Sequence, residues 1–165
     1  ETAFMFSLIP HCAFIIKAKT LKGCSIMNIA FLLTPKSQVA YIYEDSTFRQ
    51  ALEKLRHHGY SAVPVLTRDG KYAGTLSEGD FLWSMLEIGG ASLSECEGLR
   101  VADIKKTDRN PAVHITSDTD ELMSRALGQN FIPVVDDRGC FMGIVTRRAI
   151  INAFIGEANE EAKIG

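Results

Sequence analysis

The feature that constrains this chain most is an internal repeat. Residues 59–80 read GYSAVPVLTRDGKYAGTLSEGD, and residues 130–149 read NFIPVVDDRGCFMGIVTRRA. Pro64 and Pro133, Gly70 and Gly139, Gly74 and Gly143, and Ser77 and Thr146 are each 69 positions apart, with apolar residues aligned around them. Four matches in one register mark two copies of one supersecondary unit, so the fold must be built from two like halves.

Each copy carries the same local signals. In the first, the apolar runs 62–66 and 72–76 flank Arg68-Asp69-Gly70, and Asp-Gly between two such runs marks a tight hairpin. Ser77 then stands as a helix N-cap before Phe81, Leu82, Met85 and Leu86, with acids in the first turn. The unit is strand, turn, strand, helix.

Upstream of the first unit, Gln38, Val39, Ala40, Tyr41 and Ile42 alternate and read as a strand over 38–42. Residues 45–47 cap a helix that runs to His58, with Phe48, Ala51, Leu52 and Leu55 on its apolar face and Gly59 as its C-cap. A short helix over 27–33 ends before Pro35. Residues 89–98, with Gly89, Gly90, Ser92, Ser94 and Gly98, form the linker. A short helix is expected over 99–104, a strand over 112–115 and a helix over 118–127. Counting from Asp45 to Pro64 and from Asp118 to Pro133, that second helix is shorter by about one turn. The last helix continues through 149–155, and 157–165 reads as a frayed, solvated tail. Residues 1–26 are either an upstream extension foreign to the module or an N-terminal arm that packs on a partner subunit.

Composition narrows the function. Of 165 residues, 46% are apolar and 23% charged, which fits a soluble globular protein, and the formal net charge of −2 gives no basic field for nucleic acid or an anionic membrane. No apolar run approaches the ~20 residues of a membrane span. In residues 1–26 the positive charges follow the apolar part, which is the reverse of a signal peptide. Cys12, Cys24, Cys96 and Cys140 show neither CxxC nor His-paired metal spacing. No disulfide framework is implied, which suits a cytoplasmic protein, and Cys140 reads as a buried small hydrophobe.

The doubled apolar-Pro-Val-Val/Leu strand, the turn and Gly-x-x-Ser/Thr-x-x-Asp resemble a tandem pair of CBS domains, or Bateman module, over residues 36–155. The first copy, Gly74-Thr75-Leu76-Ser77-Glu78-Gly79-Asp80, is a full match to the family's nucleotide motif; the second has Ala149 in place of the terminal Asp. The resemblance implies an α/β fold of two β-α-β-β-α repeats about a pseudo-twofold axis. Repeat 1 with its preceding short helix would span 27–88 and repeat 2 would span 99–156. It also implies a homodimer and two clefts for adenosine-type ligands.

In such a cleft Asp80 would accept from both ribose hydroxyls, although it also suits the first turn of a helix on dipole grounds alone. Thr75, Ser77 and Thr146 would donate to phosphate beside helix N-termini. Ala62, Val63, Phe131 and Ile132, with Tyr60 and Ser61 adjoining, would enclose the purine. Arg147 and Arg148 oppose the positive end of their own helix, a placement that makes sense if an anion sits there. The alternatives are surface arginines, or ion pairs with Asp136 or Asp137.

Gln38, Val39, Ala40 and Ile42, with Thr146, Arg147 and Arg148, are similar to the small stand-alone CBS proteins of Gram-positive bacteria that bind cyclic di-AMP. Those proteins often carry Lys where this chain has Gln38, and Lys36 is near enough to substitute. His57 and His58 read as helix C-terminal cations, not metal ligands. His114 has no partner acid close in sequence, and Trp83 reads as an interface residue. No nucleophile, base or metal set stands out, so neither catalysis nor a cofactor is expected. The expected function is a non-catalytic regulatory receptor for cyclic di-AMP that signals to a partner protein. The alternatives are an AMP or ATP sensor and a ligand-free dimeric interaction module.

Overall fold

The computed structural model describes residues 28–89, 94–105 and 109–164, with side chains through residue 155. The expectations for residues 1–26 lie outside the described residues, as do Met27 and residues 90–93 of the linker.

The chain opens with α1 (Ile29–Leu32), capped by the Asn28 side chain, then β1 (Thr34–Pro35) and a 3-10 turn over Lys36–Gln38. Next come β2 (Ile42–Tyr43) and α2 (Phe48–His58). The α2 helix starts where Thr47 and Gln50 exchange backbone-to-side-chain hydrogen bonds, and it stops where Gly59 adopts φ 64°. A side chain with a Cβ disfavours that left-handed conformation, so glycine ends the helix cleanly. The hairpin of β3 (Ala62–Leu66) and β4 (Tyr72–Ser77) leads into α3 (Glu78–Glu87). After α4 (Val101–Ile104) the pattern recurs as β5 (Val113–His114), α5 (Thr119–Gly128), β6 (Phe131–Val135), β7 (Phe141–Thr146) and α6 (Arg147–Ile164).

Each repeat forms its own sheet. In the first the order is β2-β3-β4, and in the second it is β5-β6-β7 with β1 added beyond β7. The parallel strand of each sheet is only two residues long, so the strand expected over 38–42 shrinks to Ile42–Tyr43. The reason lies in the partner strands. Ile42 pairs with Val65 and Val113 with Val134, and the residue before each partner is Pro64 or Pro133. Proline has no N–H to donate, so the ladder cannot extend in that direction.

Three further expectations are corrected. Helix α5 has 10 residues against 11 in α2, so almost no helix is lost. The spacing misled because Asp118 is itself the N-cap, whereas Asp45 lies two residues before the cap Thr47. Residues 157–164 continue α6 instead of fraying, consistent with their Ala, Glu and Lys content. Cys140 is half-buried, because it sits beside the hairpin turn and not inside the sheet.

The two cores are built across the repeat boundary. Ile29 of α1 is 1% exposed and packs with Val113, Leu122, Ile132 and Ile150 of repeat 2. Reciprocally, Val101 and Ile104 of α4 pack with Phe48, Leu55 and Val65 of repeat 1. Burial of each such side chain contributes about 1.5–3 kcal/mol. Backbone bonds fix the exchange: the amides of Phe48, Val101 and Ala102 donate to the carbonyls of Leu99, Ser46 and Glu44.

The halves also meet at their hairpin tips. The amide of Tyr72 donates to Gly139 at 3.2 Å and that of Phe141 donates to Gly70 at 2.9 Å, around an antiparallel bridge between Lys71 and Cys140. Each partner is the repeat equivalent of the other, so the pseudo-twofold axis passes through this bridge.

The β1–β7 contact tolerates no side chain at Gly143. A Cβ placed there would lie 2.1 Å from the carbonyl oxygen of Thr34. Gly143→Ala is therefore expected to destabilise the fold by about 1–3 kcal/mol. Urea unfolding followed by circular dichroism measures it, and an unchanged midpoint would contradict the pairing.

Candidate functional site

Two clefts lie beside the elements through which the repeats meet, the first walled by both repeats and the second by residues of repeat 2. The first, of about 400 Å³, is walled by the N-terminal segment (Thr34, Gln38, Val39, Ala40), by the entry to β3 (Tyr60, Ser61, Ala62) and by Asn130, Phe131 and Thr146 of repeat 2. The 3-10 turn at Lys36–Gln38 delivers Gln38 to it, and the Gly59 cap swings the chain so that Tyr60 reaches its edge. Tyr60 stacks on His58 at 5.4 Å, which steadies the ring. Thr146 ends β7 at the start of α6, and its hydroxyl accepts from the amide of Ala149 at 3.1 Å. The wall combines polar side chains (Gln38, Ser61, Asn130, Thr146) with apolar ones (Val39, Ala62, Phe131), the pattern of a small-molecule site.

The second cleft, of about 390 Å³, is lined by Arg109, Asn110, Pro111, Ser124, Arg125 and Gln129. Beside this cleft Arg109 meets Ser77 and Asp80, at the N-terminus of α3. Asp80 Oδ2 accepts from the Ser77 amide at 2.7 Å, the Ser77 hydroxyl at 2.8 Å and Arg109 Nη1 at 2.7 Å. Arg109 also donates to the Ser77 hydroxyl. The Asp80 side chain is fully buried. Tyr72 ties repeat 1 to the segment before β5: its hydroxyl donates to the Asn110 carbonyl at 2.7 Å and lies 2.8 Å from the Thr75 hydroxyl. Burial pushes the Tyr72 phenol up to about 12, with the Thr75 hydrogen bond acting in the opposite direction.

Of the residues singled out from the sequence, the first cleft gathers Gln38, Val39, Ala40, Tyr60, Ser61, Ala62, Phe131 and Thr146. The others are placed differently. Ile42, Val63 and Ile132 are buried in the cores, because the pleat turns them inward. Thr75 is fully buried and bonded to Tyr72, away from the wall of the first cleft. Ser77 and Asp80 lie apart from the first cleft, against Arg109, and the carboxylate expected to accept ribose hydroxyls is instead neutralised by that arginine.

Arg147 turns toward α5: its Nε donates to the Gln129 carbonyl at 3.1 Å, and its side chain borders an apolar groove with Leu127 and Ile151. Arg148 is exposed. The two acids considered as their partners are engaged elsewhere. Asp136 accepts from the amides of Cys140 and Arg138, which hold its carboxyl below the usual carboxylate range, and Asp137 pairs with His114 at 2.8 Å. That last contact also supplies the acid that sequence proximity did not reveal for His114. Lys36 does not replace the missing cation beside Gln38: its Nζ lies over the Tyr41 ring, outside the cleft wall. Among the described residues no cluster of three or more His, Cys, Asp or Glu side chains is placed to hold a metal ion.

Arg109, Asn110 and Tyr72 escaped the sequence reading. Carrying the repeat register upstream through Ile42 and Val113 would have aligned Gln38 with Arg109, which was the available signal.

A CBS-domain family model matches residues 31–87 and 101–156. The chain belongs to the CBS domain family. Among its curated relatives is the cyclic di-AMP receptor B of Bacillus subtilis (strain 168), 25% identical over 114 residues that cover 69% of this chain and 77% of that protein. The fold is similar to a crystal structure of CbpB in complex with c-di-AMP, with a TM-score of 0.77 and 23% identity, covering 85% of this chain and 92% of that one. It is also similar to the Listeria monocytogenes CbpB protein in complex with c-di-AMP, with a TM-score of 0.68 and 26% identity, covering 84% and 99%. No helix among the described residues is long and apolar enough to cross a membrane.

The Tyr72 phenol provides a pH test of the contact between repeat 1 and the segment before β5. Its folded pKa lies above its unfolded value near 10, so its contribution is fully present below pH 10 and is lost as pH rises toward 12. Wild-type stability should fall relative to Tyr72→Phe across that window, by up to roughly 1.4 kcal/mol per pH unit. Denaturant unfolding of both proteins at several pH values measures this, and parallel curves would contradict the burial.

Proposed function

We propose that this chain is a non-catalytic regulatory receptor that binds cyclic di-AMP in the first cleft. The observation that carries the reading is the convergence there of Gln38, Val39 and Ala40 with Tyr60 and Phe131, ending at Thr146 on a helix N-terminus that bears Arg147 and Arg148. Support comes from the curated relative named for that ligand and from the Listeria complex that contains it.

In this reading Tyr60, Ala62 and Phe131 enclose an adenine, and the exposed backbone of residues 38–40 reads its edge. Thr146 and the first turn of α6 receive a phosphate, and Arg148 binds it from the exposed side. Arg147 joins by exchanging its bond to Gln129 for the anion. Because walls from both repeats would touch one ligand, binding would narrow the range of their relative positions, and a partner protein that prefers one state would sense it. The chain would act as a cytoplasmic homodimer. Leu82 (55% exposed), Trp83 (60%) and Leu86 (60%) on α3, with Ile151 (50%) and Ile155 (55%) on α6, are the surfaces offered to the second subunit.

The test is calorimetry against cyclic di-AMP, cyclic di-GMP, AMP and ATP. Selective cyclic di-AMP binding at micromolar or tighter affinity is expected. Arg148→Ala should weaken it at least tenfold, a loss of about 1.4 kcal/mol or more, and Arg147→Ala should act in the same direction. Unchanged affinity in both variants would refute the phosphate assignment. Gln38→Lys, which adds a cation to the wall, should tighten binding severalfold at low salt and less at high salt.

A further inference from the structure

The two clefts adjoin equivalent positions, yet one is bordered by a charge pair that the other lacks. The strand registers of Ile42 with Val65 and of Val113 with Val134 align Gln38 with Arg109 and Val39 with Asn110. The 69-residue repeat aligns Thr146 with Ser77, Ala149 with Asp80 and Gln129 with Tyr60. Gln38 and Thr146 line the first cleft with Ala149 in the next turn, whereas Arg109 lines the second and covers Ser77 and Asp80 beside it. At the edge of the second cleft Arg109, Ser77 and Asp80 bind each other through their side chains.

Two further observations show that this closure is built into the loop. Asn110 adopts φ 52°, the left-handed region that non-glycine residues rarely enter, and its carbonyl is held by the Tyr72 hydroxyl. Its counterpart Val39 is extended, at φ −101°. The bend places Arg109 against Asp80. The match is also incomplete: among the described residues Asp80 Oδ1 and Gln129 Oε1 are buried acceptors with no hydrogen-bond donor. Asp80 is 2% exposed and Gln129 is 8% exposed. Arg109 neutralises the carboxylate without satisfying all of its oxygen sites, and buried acceptors of this kind call for donors.

We infer that Arg109 is a resident occupant of the second cleft and thereby sets ligand specificity. It blocks a nucleoside whose free vicinal diol would otherwise donate to Asp80. A cyclic dinucleotide, with each ribose esterified at the 3′ oxygen, offers no such diol, so the block acts on mononucleotides and leaves the first cleft untouched.

The experiment titrates AMP into the wild-type chain, Arg109→Ala and Arg109→Ala/Asp80→Asn. Arg109→Ala should bind AMP at least tenfold more tightly than wild type, at one per chain, and Asp80→Asn should remove the gain. Equal AMP affinity in wild type and Arg109→Ala overturns the inference, as does a gain that survives Asp80→Asn. If Arg109→Ala melts below the assay temperature, Arg109→Gln (the side chain found at position 38) is read by thermal shift. A larger AMP-induced rise in Tm than in wild type supports the inference and an equal rise overturns it. A parallel cyclic di-AMP titration of wild type separates the two readings, since its failure would sink the proposed receptor function while the AMP series still reports on Arg109.

Discussion

Two backbone hydrogen bonds at the hairpin tips, Tyr72 to Gly139 and Phe141 to Gly70, fix the frame on which everything else hangs. They are reciprocal, so they define the axis about which each repeat sees the other. Both tips turn through a glycine in the left-handed region, Gly70 at φ 87° and Gly139 at φ 75°, which lets the carbonyls point outward to the opposite hairpin. Tyr72 and Phe141 then stack across the axis with ring centroids 6.3 Å apart. Once this joint is set, the entry to β3 must face the start of α6, and the start of α3 must face the segment before β5. Both clefts follow from it.

The second constraint is the exchange of short helices. With α1 buried in repeat 2 and α4 in repeat 1, neither core is complete without chain from outside its own repeat. Lys105, on the residue after α4, pairs with Glu44 of repeat 1 at 2.8 Å and is itself mostly buried, which adds a polar tie to the apolar one. The segment that crosses from α1 to β2 carries Gln38, Val39 and Ala40. The wall of the first cleft is thus strung between both cores, and this is why a ligand there would be felt by both.

The repeat, the hairpins, the Thr47 and Gly59 caps and the CBS family were all legible in the sequence, because each rests on local residue chemistry. Most of the first cleft was legible as well, since Gln38, Tyr60 and Thr146 sit at element ends where side chains are free to face a gap. Three kinds of information were not local. The shortness of β2 depends on what Pro64 withholds from it across the sheet. The burial of Ile42, Val63, Thr75 and Ile132 depends on which face of each strand meets the core. The fate of Asp80 depends on Arg109, 29 residues away and outside the motif that drew attention to the carboxylate. A motif names the residues able to do a job, whereas the neighbours that engage them first appear only in three dimensions.

The added strand β1 has a consequence for how such a module arises. Thr34–Pro35 stand at the N-terminal end of the first repeat in the chain but complete the sheet of the second. A single repeat with its own leading segment would have nothing to cover, and its leader would seek the sheet edge of another copy. Two separate copies would solve this by trading leaders as a swapped pair. Joining them end to end turns that concentration-dependent trade into an intramolecular one and frees the two halves to diverge. The unlike clefts of this chain, one walled by Gln38 and one by Arg109, are a divergence that a strictly symmetric pair of identical halves could not express.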